Sequence, residues 1–193
     1  MQHFFIQIKH IAILALLFVL ASSAVFAEPN QVEDFSKNSV VVASAKYLGS
    51  TAESMAEAMD VIFNRYGAPD AIIRGEELGG GFIGTLRYGR GSLQFQTGGT
   101  HSIYWRGPSI GLPLPSGAAS KNFILIYGAK TPKEVYKRFF GIEGSLIVGA
   151  GIALNYLQRD DVVVVPVRVG VGFRADVSVG YLKFTEKSGW FPF

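Results

Sequence analysis

The chain has no cysteine, little charge and a single histidine, His101, beyond residue 27. Without cysteine it forms no disulfides and has none of the thiolate ligands of common zinc sites. One histidine cannot form a histidine cluster for a metal. The formal net charge of +3 over 193 residues is too small to indicate nucleic-acid binding. These absences exclude disulfide scaffolds and the common zinc enzymes, and the chain must fold by packing alone.

Residues 1–27 have the three parts of a secretory signal. Lys9 and His10 supply a positive start, Ile11 to Leu20 form an apolar stretch, and a small-residue cleavage site ends at Ala27. The pattern predicts export, cleavage after Ala27 and a location in the periplasm of a Gram-negative bacterium. An uncleaved membrane anchor is the alternative, because the apolar stretch is just long enough to span a thin bilayer.

Three runs between Gly144 and Phe184 alternate large and small side chains with the period of two that is typical of β-strands. Their short connections predict antiparallel neighbours, because a parallel partner needs a crossover of a dozen or more residues. Shorter runs precede them, and the chain has 23 glycines. Together these features predict a mainly β fold, a small soluble antiparallel β-barrel of about 8–10 strands. A two-layer sandwich is the alternative.

The predicted domain organisation is simple. Residues 28–39 are polar, contain Pro29 and show no period, which predicts a flexible lead-in. No linker, repeat or low-complexity tract divides residues 40–193, so we predict one β-barrel domain there. The first residues of that domain, Val40 to Ala45, fit either a short strand or the start of a helix.

Two helices are predicted outside the strands. The first is an N-terminal amphipathic helix from Thr51 to Tyr66, with Ser50 and Glu53 forming its capping box. The second is a short helix between Thr131 and Gly141, which begins with a threonine cap and a proline at the first helical position.

Fragments of catalytic motifs occur, and each has a simpler explanation. Gly79 to Gly84 matches G-x-G-x-x-G, but dinucleotide binding needs a helix directly after the glycines and none is predicted there. No nucleophile elbow lies near His101. The carboxylate pairs Glu76-Glu77 and Asp160-Asp161 lie in predicted turns, where solvation explains them. We therefore predict a non-enzymatic protein with no catalytic residues, no cofactor and no metal.

Aromatic and basic residues on predicted strands form the candidate ligand-binding set. Its members are Tyr104, Trp105, Arg106, Arg87, Arg168 and Arg174. The two aromatic residues suit an interface that is apolar on one side and wet on the other, and the arginines suit anionic lipid or glycan headgroups. Ordinary core packing of the aromatic residues and a solvated basic surface are the alternatives.

Four blocks in order carry a resemblance to a known family: Gly84 to Gly91, Tyr104 to Gly111, Arg138 to Ser145 and Val169 to Ala175. On these blocks the chain resembles the EipA family of periplasmic envelope-integrity proteins, over most of the region that follows the lead-in. The resemblance implies a small periplasmic β-barrel that supports envelope integrity and has no established catalytic residues. A weaker similarity to SYLF domains implies contact with anionic lipid.

Three functional hypotheses follow. The first is a non-enzymatic periplasmic barrel that supports the cell envelope and binds an envelope lipid or glycolipid, by an acyl chain in a cleft or a headgroup on the basic face. The second is a structural adaptor that binds another periplasmic protein through the helix from Thr51 to Tyr66 or through a sheet edge. The third is a cell-wall hydrolase. None of them involves nucleic acid, and after signal cleavage the chain is not predicted to span a membrane.

Overall fold

The computed structural model describes residues 34–80, 85–109, 119–141, 146–149, 151–169 and 180–189. The helices are α1 (Lys37–Leu48), α2 (Ala52–Tyr66) and α3 (Pro132–Val135). The strands are β1 (Ala71–Gly80), β2 (Thr85–Phe95), β3 (Thr100–Ser109), β4 (Ala119–Tyr127), β5 (Arg138–Gly141), β6 (Leu146–Val148), β7 (Ile152–Leu154), β8 (Leu157–Arg159), β9 (Val162–Val169) and β10 (Tyr181–Thr185). The predicted signal, residues 1–27, and the candidate ligand-binding residue Arg174 lie outside the described residues.

Eight strands close into an antiparallel barrel. Their order is β4-β1-β2-β3-β10-β5-β8-β9, and β9 pairs back with β4. Every strand in this ring therefore has two neighbours, and closure removes the open edges that a sandwich would keep. The barrel confirms the predicted fold over the alternative two-layer sandwich.

Strands β7 and β8 are two halves of one ribbon that a proline interrupts. Leu154 pairs with Val167 and Leu157 pairs with Val164, so both halves share one register along β9. Between them the N–H of Asn155 donates to the carbonyl of Pro166 (3.2 Å), and a proline has no N–H to donate in return. β7 and β6 then extend the sheet beyond the barrel, with β6 outermost.

Side-chain alternation divides the apolar residues between two cores. On β1, Ala71 and Ile73 point into the barrel, whereas Ile72 between them faces the helices. The interior core includes Leu93, Ile103, Trp105, Phe139 and Phe184. The outer core packs α1 and α2 against the sheet and includes Val40, Met55, Met59, Ile62, Phe123 and Val165. The inner face of the barrel is thus buried within the barrel, and part of its outer face is buried against α1 and α2.

Helix α1 differs from the sequence prediction. It begins at Lys37, inside the stretch predicted as a flexible lead-in, and it includes Val40 to Ala45. The Ser36 hydroxyl caps it by accepting a hydrogen bond from the N–H of Ser39 (3.4 Å). The helix has no clear amphipathic pattern, because it starts with polar residues and buries only a narrow stripe of small and β-branched side chains. The sequence therefore did not predict it.

Helix α2 confirms the predicted amphipathic helix, although its cap differs. The N-cap is Thr51, whose hydroxyl accepts a hydrogen bond from the N–H of Ser54 (3.2 Å), rather than the predicted Ser50. Within the described part of the chain, none of the helices has the length and hydropathy needed to cross a bilayer.

Helix α3 begins as predicted and ends early. Glu134 completes its capping box, since its carboxylate accepts a hydrogen bond from the N–H of Thr131 (3.1 Å). The N–H groups of Lys130 and Thr131 lower the pKa of Glu134. The helix ends at Val135, and the residues predicted to continue it form β5 instead. Phe139 on β5 fills the barrel interior, so strand pairing and burial override the local helix signals.

The Trp105 indole lies directly against the backbone of β1 and β2. A Cβ added at Gly89 would overlap the indole ring, and a Cβ added at Gly75 would lie 2.6 Å from its Cη2. Only glycine leaves this space on two neighbouring strands. These two glycines therefore form the surface on which the largest interior side chain packs.

Replacing Gly89 with alanine should lower the free energy of unfolding by about 1–3 kcal/mol, because the new methyl group competes with the indole for space. Chemical unfolding followed by circular dichroism measures the change. The control is Arg90→Ala, since that neighbouring side chain is exposed and its loss should change stability by less than about 0.5 kcal/mol. Equal effects of the two variants would contradict this packing.

Candidate functional site

A buried polar network crosses the barrel interior beside Trp105. The indole Nε1 of Trp105 donates a hydrogen bond to Oε2 of Glu77 (2.7 Å). Oε1 of that carboxylate pairs with Nη2 of Arg168 (3.5 Å), and Nε of Arg168 donates to Oδ1 of Asn122 (3.0 Å). The exposed fraction is 2% for Glu77, 7% for Arg168 and 0% for Asn122. The network links β3, β1, β9 and β4 through groups that are shielded from water.

The chemistry of the network favours a structural role. Both oxygens of the Glu77 carboxylate are engaged, one by the indole and one by the guanidinium of Arg168. At 2% exposure the Glu77 carboxylate is shielded from a substrate in solution. A buried carboxylate that is held by a cation and a donor compensates charge in the interior.

A small cavity lies next to this network. Its lining includes Arg87, Asn155, Pro166, Arg168 and Leu182. Its volume is about 10 Å³, which is room for a single water molecule. Side chains thus fill this part of the described barrel, and an acyl chain has no space in the cavity.

The structure divides the sequence-predicted ligand-binding set between the two faces of the sheet. Trp105 belongs to the interior core, and Arg87 and Arg168 line the interior cavity. Tyr104 and Arg106 alternate with Trp105 along β3 and lie on the outside. Arg106 is buried there, and its Nη1 donates to the carbonyl of Gly189 (3.2 Å). The set therefore does not form one surface.

An exposed apolar row follows the outside of the barrel near one rim. Leu86 on β2 pairs with Pro108 on β3, and Tyr181 on β10 pairs with Phe140 on β5. β3 and β10 are antiparallel neighbours with Lys183 opposite Arg106, and the same register places Tyr181 next to Pro108, so the two pairs lie side by side. Leu86 is 42% exposed and Phe140 51% exposed, and Leu78, on the same outer face of β1, is 54% exposed.

Two cations border this row. Lys183 and Arg138 pair across β10 and β5, one step further along the strands than Tyr181 and Phe140. The guanidinium of Arg138 lies 4.4 Å from the centre of the Tyr181 ring, at cation–π distance. We call the five apolar residues and these two cations the rim patch, and its members are Leu78, Leu86, Pro108, Phe140, Tyr181, Arg138 and Lys183.

The candidate catalytic groups do not converge. Glu76 and Glu77 are adjacent on β1, so they lie on opposite faces of the sheet, with Glu76 exposed and Glu77 buried. This corrects their predicted place in a turn. His101 is exposed and packs edge-on against Phe95, with ring centroids 6.2 Å apart. Among the described residues, no three metal-ligating side chains lie close enough to hold an ion.

Sequence reasoning missed the central residue of the network, Glu77. The signal was nonetheless present, because Ala71, Ile73, Gly75 and Glu77 occur at a strict period of two. Glu76 and Glu77 were predicted to lie in a turn, where solvation explains a carboxylate pair. In the structure β1 continues to Gly80, so the phase of the alternation carries Glu77 into the interior.

Comparison with known proteins gives a family and a fold. The family model described as envelope integrity protein A matches residues 33–193. A crystal structure described as a β-barrel-like, uncharacterized protein from Brucella abortus is 36% identical, with a TM-score of 0.73. That match covers 83% of this chain and 99% of the other. No curated protein matches the sequence. The solved structure has the same barrel-like fold as this chain.

Replacing Glu77 with glutamine should lower the free energy of unfolding by about 3–5 kcal/mol, because it removes the carboxylate charge that pairs with the buried Arg168 guanidinium. Denaturant unfolding measures the change. Glu76→Gln is the matched control, since the same substitution one residue earlier is exposed and should cost less than about 0.5 kcal/mol. If both variants unfold at the same denaturant concentration, the pair does not stabilise the barrel.

Proposed function

The chain belongs to the envelope integrity protein A family, and from this premise we propose that it is a non-catalytic periplasmic barrel that docks on an anionic lipid surface of the cell envelope. The family supports a role in cell-envelope integrity. The proposal adds three elements: export by residues 1–27 with cleavage after Ala27, action by binding instead of catalysis, and a lipid surface as the partner. Residues 40–193, together with α1 from Lys37, then form the working domain.

The rim patch is the observation that carries the proposal. Large apolar side chains at three of its positions, Leu78, Leu86 and Phe140, are each more than two-fifths exposed. Exposed apolar residues grouped on one surface favour contact with a protein or a membrane. Proline and tyrosine extend the row between these residues, and tyrosine suits the interface between an apolar layer and water.

The charge of the patch favours an anionic partner. Arg138 and Lys183 lie beside the apolar row and on the same outer face. A basic residue near an anionic membrane contributes about 1 kcal/mol to binding, and the contribution falls as salt screens it. The stacking of Arg138 on Tyr181 holds a cation at the edge of the apolar row, where headgroups would lie if the row entered the lipid.

The filled interior supports binding on the outside. An acyl chain inside the barrel would need a hollow, and the described interior holds Trp105, Phe139 and Phe184 together with the buried polar network. The outer surface near the rim carries the accessible apolar area instead. The hypothesis of a ligand within the barrel therefore has less support than docking by the rim patch.

A protein-binding adaptor is the second candidate, and β6 favours it. Among the described strands it is the outermost of the sheet, and its Leu146 and Ile147 are 42% and 44% exposed. Exposed edge strands are templates for pairing with a strand of another protein. No geometry among the described residues favours the third hypothesis, a cell-wall hydrolase.

The double variant Leu78→Ser, Phe140→Ser should bind anionic vesicles at least about tenfold more weakly than the wild type, because each residue loses apolar area that would enter the lipid. Co-sedimentation with vesicles of phosphatidylglycerol and phosphatidylcholine measures the binding. Wild-type binding should fall as ionic strength rises.

Val42→Ser is the matched control, since Val42 is 54% exposed on α1, as Leu78 is on β1, and lies outside the rim patch. It should bind vesicles as the wild type does. Failure of the wild type to bind anionic vesicles would contradict the lipid proposal. If Ile147→Lys, on the exposed strand β6, then abolished complementation of a deletion strain, the result would favour the protein-binding adaptor.

A further inference from the structure

A second surface feature lies at the opposite end of the strands that carry the rim patch. It is an open cleft of about 600 Å³ between the start of β3 and the segment that follows β10. Tyr136, just after α3, forms part of its wall. Clefts of a few hundred cubic ångströms are of the size that binds small molecules.

Hydrogen bonds between separate elements hold the walls of the cleft in place. The Tyr136 hydroxyl donates to the carbonyl of Ser102 on β3 (3.1 Å). The Thr185 hydroxyl donates to the carbonyl of Lys187 (2.8 Å), which shapes the turn after β10. The bond from Arg106 to the Gly189 carbonyl ties that segment back onto β3. The cleft is therefore formed by three elements that are fixed to one another.

The lining is rich in hydroxyl groups. Five of its eight residues carry one: Thr100, Ser102, Tyr104, Tyr136 and Ser188. Two of the five are tyrosines, whose rings offer flat apolar faces next to polar tips. Burial raises the pKa of Tyr136, and the charge of Glu186 raises it further, so this hydroxyl remains a neutral donor and acceptor.

The charges of the lining balance. Glu186 and Lys187 contribute one charge of each sign. These two charges offset each other, so they do not single out an anion or a cation as the ligand. A polar lining of hydroxyl groups offers little contact to an acyl chain. The lining best fits an uncharged ligand that has many hydroxyl groups and flat C–H faces. Saccharides have both properties.

We propose that this cleft binds a saccharide chain, with Tyr104 and Tyr136 contacting the ring faces and Glu186 accepting hydrogen bonds from sugar hydroxyls. The site is independent of the rim patch, which lies toward the other end of the barrel and carries an apolar, cationic surface. A protein with both sites would contact a lipid surface at one end and a glycan near the other.

The test is titration of the isotope-labelled protein with two uncharged trisaccharides, N,N′,N″-triacetylchitotriose and maltotriose, followed by amide chemical shifts. At millimolar concentrations at least one sugar should shift the signals of residues 100–104 and 186–188. Tyr104→Ala and Glu186→Ala should each weaken binding by about tenfold. Inorganic phosphate should leave these signals unchanged.

Tyr181→Ala is the cross-control, because it removes a tyrosine of the rim patch. It should bind the sugar normally and bind anionic vesicles less well, whereas Tyr104→Ala should do the reverse. The exposed Glu186 keeps the test valid if Tyr104→Ala unfolds. No shift with either sugar, shifts produced by phosphate instead, or sugar binding that survives Glu186→Ala unchanged would overturn the proposal.

Discussion

The rest of the barrel depends on how Trp105 is accommodated in its interior. The indole packs on the backbone at Gly89 and Gly75, and its Nε1 donates to the carboxylate of Glu77, which in turn pairs with Arg168. These contacts connect β3 to β9 across β2, β1 and β4, so residues 91 positions apart in sequence are joined within the interior. A buried ion pair is seldom the most stabilising choice, but removing one of its partners is costly. The indole, the two glycines beneath it and the ion pair therefore lie in one contiguous part of the interior.

Aromatic rings and the polar network occupy the described interior, and for this reason both proposed binding surfaces lie on the outside of the barrel. The helices α1 and α2 take the outer face near β4 and β7. The outer faces of β2, β3, β5 and β10 carry most of the rim patch, and β3 also contributes to the hydroxyl-rich cleft.

The local residue pattern was sufficient to predict much of the fold. It failed where a segment pairs with a strand that is distant in sequence. The period of two predicted antiparallel strands, and the helical period predicted α2, because both follow from neighbouring residues. The predicted turn at Glu76-Glu77 and the predicted helix to Gly141 were wrong. Pairing of β1 with β4, and of β5 with β10, joins residues that are distant in sequence and overrides the local signals. The candidate site followed the same rule: Tyr104, Trp105 and Arg106 are adjacent in sequence, yet alternation sends Trp105 to the opposite face from its two neighbours.

The sequence by itself determined the class of fold, an antiparallel barrel stabilised without disulfides, because composition and period are properties of the chain alone. It also carried the blocks that identify the family. Only the tertiary structure decided which residues work together: that Glu77 is a buried counter-charge, that Trp105 is core, and that Tyr104 faces a cleft. The physical reason is closure. The pairing of β4 with β9 closes the barrel and so decides which face of each strand points inward. The local sequence pattern does not contain this information.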